Sequence, residues 1–246
     1  MLPPPVPFGP LGRLGLHAHF HILLAVLVLF LLSPRIDIGT AALFFAPEEG
    51  FALANHPVLH HLRMSVWNLT LAMLALSLAM VLAHPLRRRA TLWPTRVWVF
   101  SLALLLLGPG LLVNAILKAY WGRPRPRAIE EFGGDHGFTP PFQIDGECLR
   151  NCSFVSGEGG GATALALIVL VLAWSAPWRW LRPLSVALAG LFLIFGAASR
   201  VVMGGHFLSD VVFSILLVFL VAEILARFFR LHELPAHRQA HRDARE

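Results

Sequence analysis

LSVALAGLFLIFGAASRVVMGGHFLSDVVFSILLVFLVAEILARFF, residues 184–229, places two long apolar runs on either side of a polar hairpin, SRVVMGGHFLSD (199–210). A helix that crosses a bilayer needs about 20 mostly apolar residues, and the runs Leu184–Val201 and His206–Phe229 fit that length. At their facing ends stand Arg200, His206 and Asp210. Such groups are costly at membrane depth, so their presence asks for a functional reason. Outward from this hairpin the pattern recurs, and helices are expected at Leu16–Leu32, Met64–Ala83, Val97–Tyr120 and Gly157–Trp174. Gly108-Pro109-Gly110 predicts a kink in the third of the six, because proline removes a backbone donor. The fold class expected is all-α: a polytopic membrane helical bundle of six crossings. A single domain covers residues 1–246, with its core motifs at 118–210 and cytoplasmic tails at about 1–15 and 230–246.

Composition agrees, since the chain is 57% hydrophobic and 14% charged, whereas soluble domains carry about a quarter charged residues. The formal charge of +6 does not point to nucleic acid. The four arginines in the 121–155 loop are balanced by acids, while eleven of the nineteen sit in short links and a tail: Arg87, Arg88, Arg89 and Arg96; Arg179 and Arg182; Arg227, Arg230, Arg238, Arg242 and Arg245. Positive charge there marks the cytoplasmic side, so both termini are expected inside and the bilayer is the partner. Residues 33–61 read as an interfacial loop with some helix. Cys148 and Cys152 are too few for a structural zinc site. They are a disulfide candidate, which requires an oxidising compartment, with two free thiols as the alternative. The histidines at 17, 19 and 21 and at 56, 60 and 61 lack carboxylates at a ligand spacing, so neither metal nor cofactor is expected.

Three polar segments fall on the outer face of this topology: KAYWGRPRP (118–126), SFVSGEGGG (153–161) and the 199–210 hairpin. Lys118 is the only lysine. It reads either as a phosphate-binding ammonium or as a side chain snorkelling from a helix end. Ser156 and Gly157 precede a helix whose N-terminus would attract an anion. The glycines at 157, 159, 160 and 161 would let that anion approach the backbone, or would serve helix packing. His206 and Asp210 are four apart. On one helical face, Asp210 could bond one ring nitrogen and leave the other for attack; an interfacial ion pair is the plain alternative.

Together the segments resemble the type 2 phosphatidic acid phosphatase superfamily, which also includes vanadium haloperoxidases. The family pattern is lysine, six residues, Arg-Pro; then Pro-Ser-Gly-His; then Ser-Arg, five residues, His, three residues, Asp. The first and third match at Lys118–Pro126 and Ser199–Asp210, while the second has Val155 for proline and Glu158 for histidine. The resemblance implies that Lys118, Arg125 and Arg200, with Ser156 and the amides near Gly157, hold the phosphoryl oxygens. It implies His206 as nucleophile, forming a phosphohistidine, and Asp210 as its orienting carboxylate, without a metal. Glu158 would be a protonated general acid, or an ancillary group for a leaving group that departs unaided. The expected activity is hydrolysis of a phosphomonoester or pyrophosphate on a membrane lipid at the periplasmic face of a bacterial inner membrane. CLRNCSFVSGE (148–158) looks most like a subgroup associated with lipid A dephosphorylation. A lipid phosphotransferase and a non-catalytic headgroup-binding protein are the alternatives.

Overall fold

The structure, a computed structural model, describes residues 11–86, 92–144, 148 and 152–234. The arginines at 87–89 and the tail beyond residue 234, with His237 and His241, lie outside the described residues. Seven principal helices follow the apolar runs: α1 (Leu11–Leu32), α2 (Arg35–Ala42), α3 (Pro57–Leu82), α4 (Thr95–Tyr120), α5 (Gly157–Ser175), α6 (Leu181–Val202) and α7 (Leu208–Phe228). Helices α3 to α7 are each long and apolar enough to cross a membrane, and α1 with α2 makes a sixth crossing if that bent pair is one span. Large apolar side chains such as Leu69, Leu107, Leu111, Leu191 and Ile224 are exposed on the outer faces. A helix apolar all round is suited to lipid rather than water.

At the centre stands α5, 72% buried over its apolar stretch against 17–39% for the other four long helices. Ser156 starts it, its hydroxyl accepting the Gly159 amide at 3.1 Å. That bond satisfies one of the orphan donors of a first turn. The following glycines are packing surfaces. A Cβ on Gly157 would strike the Asn114 amide of α4, and one on Gly160 would lie 3.1 Å from Ser214 Oγ of α7. Phe30, Phe100, Leu104, Ile168, Phe213 and Val218 fill the main core between α1, α4, α5 and α7.

At the Gly108-Pro109-Gly110 stretch α4 widens into π-type turns over Leu106–Leu117 and continues to Tyr120. Asn114 closes the wide turn, its Nδ2 donating to the Pro109 carbonyl at 2.7 Å. A side chain thus serves a carbonyl near the point where proline lacks an amide hydrogen. The helix within residues 33–61 is α2, which turns 83° from α1, and α3 begins at Pro57 with His56 as its N-cap, ahead of the expected start at Met64. That turn carries Asp37 into the protein, where it is fully buried.

Candidate active site

The three polar segments meet at one end of the bundle through backbone hydrogen bonds. Arg127 N donates to Gly204 O at 3.3 Å, Ser153 N to Arg123 O at 2.8 Å and Ser156 N to Asp210 O at 3.1 Å. Cys148 and Cys152 form a disulfide beside them, with Cα atoms 5.7 Å apart. Cys148 N donates to Gly122 O at 3.1 Å, which ties the disulfide loop to the segment bearing Arg123. In the hairpin after α6, Gly204 adopts φ +61°, and a Cβ there would also meet the Phe51 ring at 2.5 Å. Both the left-handed backbone and the contact call for glycine. The Arg200 guanidinium packs against the backbone of Gly205, where a Cβ would collide with Nη2.

His206 precedes α7 instead of beginning it, since Phe207 is the N-cap and Leu208 the first helical residue. Its Nδ1 lies 2.7 Å from the Ser153 carbonyl. A carbonyl can only accept, so Nδ1 carries the hydrogen and the neutral ring keeps its lone pair on Nε2. The direct bond expected from Asp210 is absent: Asp210 Oδ2 is 3.7 Å from Nδ1. Asp210 is instead a hub. Its Oδ2 accepts the Phe207 amide at 2.8 Å and the Ser153 hydroxyl, and its Oδ1 accepts Arg123 Nη1 at 2.5 Å. Burial is the chief influence on the imidazole, pushing its pKa from 6.5 to about 4, with Arg200 and Arg125 acting the same way and Asp210 opposing. The ring is therefore neutral at physiological pH.

The phosphate-binding candidates take different places. Lys118, Gly157 and Glu158 line an open cavity of about 280 Å³ with Arg63, Met64, Trp67 and Asn114, whereas His206 is 1% exposed and does not line it. Arg200, also buried, reaches toward the cavity through Glu158, its Nε 3.8 Å from Oε2. Arg125 is half-buried; burial is the chief cause lowering its pKa, with repulsion from Arg127 next and attraction from Glu158 and Asp210 opposing. Ser156 is fully buried, its hydroxyl turned to the helix cap described above.

Three participants were not legible as such. Arg63 of α3 donates through Nη1 to Glu158 Oε1 at 2.6 Å, so Glu158 is a paired carboxylate. Arg123, fully buried, bridges Asp210 and Asp37, and its guanidinium carbon lies 4.2 Å from the Phe207 ring centre. Asp37 is the third. Signals existed for two of them: an arginine directly before the apolar run that starts at Met64, and a second arginine two residues before Arg125. Among the described residues Arg63 Nε, Arg200 Nε and Glu158 Oε2 are buried without a hydrogen-bond partner.

Residues 96–233, more than half of the chain, match the PAP2 superfamily. The chain belongs to the PAP2 superfamily. Within it, the chain is 41% identical to a lipid A 4'-phosphatase of Francisella tularensis subsp. novicida (strain U112) over 50% of its own length and 54% of that protein. It is 42% identical to a lipid A 4'-phosphatase of Rhizobium leguminosarum, over 46% of each chain. A third, of Rhizobium etli, is 41% identical over 45% of this chain and 41% of that protein. The chain thus matches about half the length of these curated relatives. No solved structure matches it.

Proposed function

We propose that the chain is an integral membrane lipid phosphatase that releases phosphate from a lipid phosphomonoester through a phosphohistidine on His206. The observation that carries this reading is the placement of His206, its Nδ1 2.7 Å from the Ser153 carbonyl and its amide donating to the Arg200 carbonyl at 3.1 Å, in a PAP2 chain. In the first step the Nε2 lone pair forms a bond to phosphorus and the bond to the lipid oxygen breaks, its electron pair going to that oxygen. Lys118, Arg125, Arg200 and the amides at Gly157 would carry the charge spread over the phosphoryl oxygens. Water then attacks phosphorus, the P–N bond breaks, and the imidazole recovers its lone pair as phosphate leaves. The relatives' names make a lipid A 4'-phosphate the first substrate to test. Phosphate release from a lipid panel by the purified chain tests the reading; no release from any member overturns it.

Orientation follows from chemistry at the two ends. A disulfide beside the site is suited to an oxidising compartment, and the arginines of the α5–α6 link belong on the opposite, cytoplasmic side. The site is therefore proposed to face the periplasm from an inner membrane, the whole chain forming one domain.

Glu158 is assigned the ancillary role. A carboxylate bonded to Arg63 and 3.8 Å from Arg200 is placed to space two guanidinium groups and not to give up a proton. The leaving oxygen then takes its proton from water in the open cavity. Glu158→Gln is expected to retain turnover within about 10-fold while inorganic phosphate inhibits more strongly, as two arginines lose a competing anion. A fall in kcat of about 10² to 10⁴, the usual contribution of a general acid, would restore the proton-donor role.

The neutral imidazole also fixes a pH dependence. Between 6.5 and about 4 the unfolded chain binds a proton that the folded His206 excludes. Stability contributed by this site is therefore complete above 6.5 and is lost as pH falls through that interval. His206→Gln is expected to flatten the decline in thermal midpoint over the same range. An identical decline in both proteins would contradict the assignment.

A further inference from the structure

We propose that Asp37, at the start of α2, is a positioning residue for His206 that acts through Arg123 and Asp210. This rests on the reading of His206 as nucleophile. Both Asp37 oxygens are committed to the site: Oδ1 accepts Ser209 N at 2.8 Å, and Oδ2 accepts Arg123 Nη2 at 2.8 Å and Ser209 Oγ at 2.5 Å. The same Ser209 hydroxyl accepts Arg123 Nη1 at 2.9 Å, and Arg123 Nε donates to the Thr139 carbonyl at 2.8 Å. The guanidinium is thus fixed in plane by groups from α2, α7 and the 121–155 loop. Its other nitrogen contact is Asp210, whose second oxygen faces the ring at 3.7 Å and receives the hydroxyl of Ser153. Ser153 in turn holds Nδ1 through its carbonyl. From Asp37 the path through Arg123 and Asp210 reaches the imidazole both at Asp210 Oδ2 and by way of Ser153.

Charge gives this arrangement a purpose. As Nε2 bonds to phosphorus the ring becomes cationic, and the charged groups acting on it are Asp210, Arg200 and Arg125, the two arginines disfavouring that change. Asp210 alone would be neutralised by Arg123, leaving little field for the developing cation. Asp37 offsets Arg123 from the far side, so Asp210 keeps its influence on the ring. A carboxylate that serves only to dock α2 would satisfy the same bonds without touching the chemistry, and the two roles separate by experiment.

The test uses the full chain in detergent with a lipid phosphomonoester. Asp37→Asn is expected to lower kcat about 30-fold while KM and inhibition by inorganic phosphate change less than about 3-fold, the pattern for an interaction made only in the transition state. In an Asp210→Asn background the same substitution should cost less than about 3-fold, because residues acting through one path are not additive. An unchanged kcat in Asp37→Asn, or its full effect persisting without Asp210, overturns the proposal. Should Asp37→Asn fail to fold, Ser209→Ala keeps every charge and is expected to lower kcat about 5-fold at unchanged KM; a normal kcat there is equally fatal. His206→Ala runs alongside. Activity in that control removes the nucleophile reading and the proposal with it, whereas an inactive control with a normal Asp37→Asn removes the proposal alone.

Discussion

His206→Ala is expected to abolish phosphate release, lowering kcat by on the order of 10⁴ to 10⁶, the scale on which single nucleophiles are lost. The size follows from the site. His206 is 1% exposed, and its ring is held in one tautomer by the Ser153 carbonyl. Alanine leaves the cationic groups in place, so inorganic phosphate should still bind. A wild-type chain quenched during turnover should carry a phosphoryl label that is lost in acid and survives alkali, and the variant should carry none. Activity within about 10-fold of wild type would overturn the phosphohistidine mechanism.

Arg123→Met is expected to cost on the order of 3 to 5 kcal/mol of stability, because it removes the one cation between two buried carboxyl groups. Arg123, Asp37 and Asp210 are each 0% exposed. Methionine fills much of the volume but bonds neither acid and cannot donate to the Thr139 carbonyl as Arg123 Nε does. For a chain of this length the thermal midpoint in detergent should fall on the order of 10 °C. Arg123→Met with Asp37→Asn should recover part of the loss, since one uncompensated acid has gone. A single variant that melts with the wild type would show that the network is not structural.

The helices were legible because the bilayer imposes a simple length and polarity code, and five apolar runs became α3 to α7 with small shifts at their ends. The motifs at Lys118–Pro126 and Ser199–Asp210 were legible because they are short and local. What stayed hidden depends on distance along the chain. Asp37 meets Arg123 across 86 residues and Ser209 across 172, and Arg63 meets Glu158 across 95. Nothing in the immediate neighbourhood of Asp37 reports such partners. Asp210 shows the subtler limit: its spacing from His206 held the two close, but helix α7 starts two residues later than expected. The ring therefore turns to Ser153, outside the hairpin altogether.

The 83° turn between α1 and α2 has a bearing on how the chain is made. Synthesis delivers Asp37 to the membrane well before Arg123 exists, and Ser209 and Asp210 come later still. A lone carboxylate carried straight into hydrocarbon would face a heavy solvation penalty during that wait. After Leu32 the chain leaves the axis of α1, so Asp37 is not carried onward along that helix. Ser209 and Asp210 stand at the start of α7, so this centre is complete only once α7 has packed against α2.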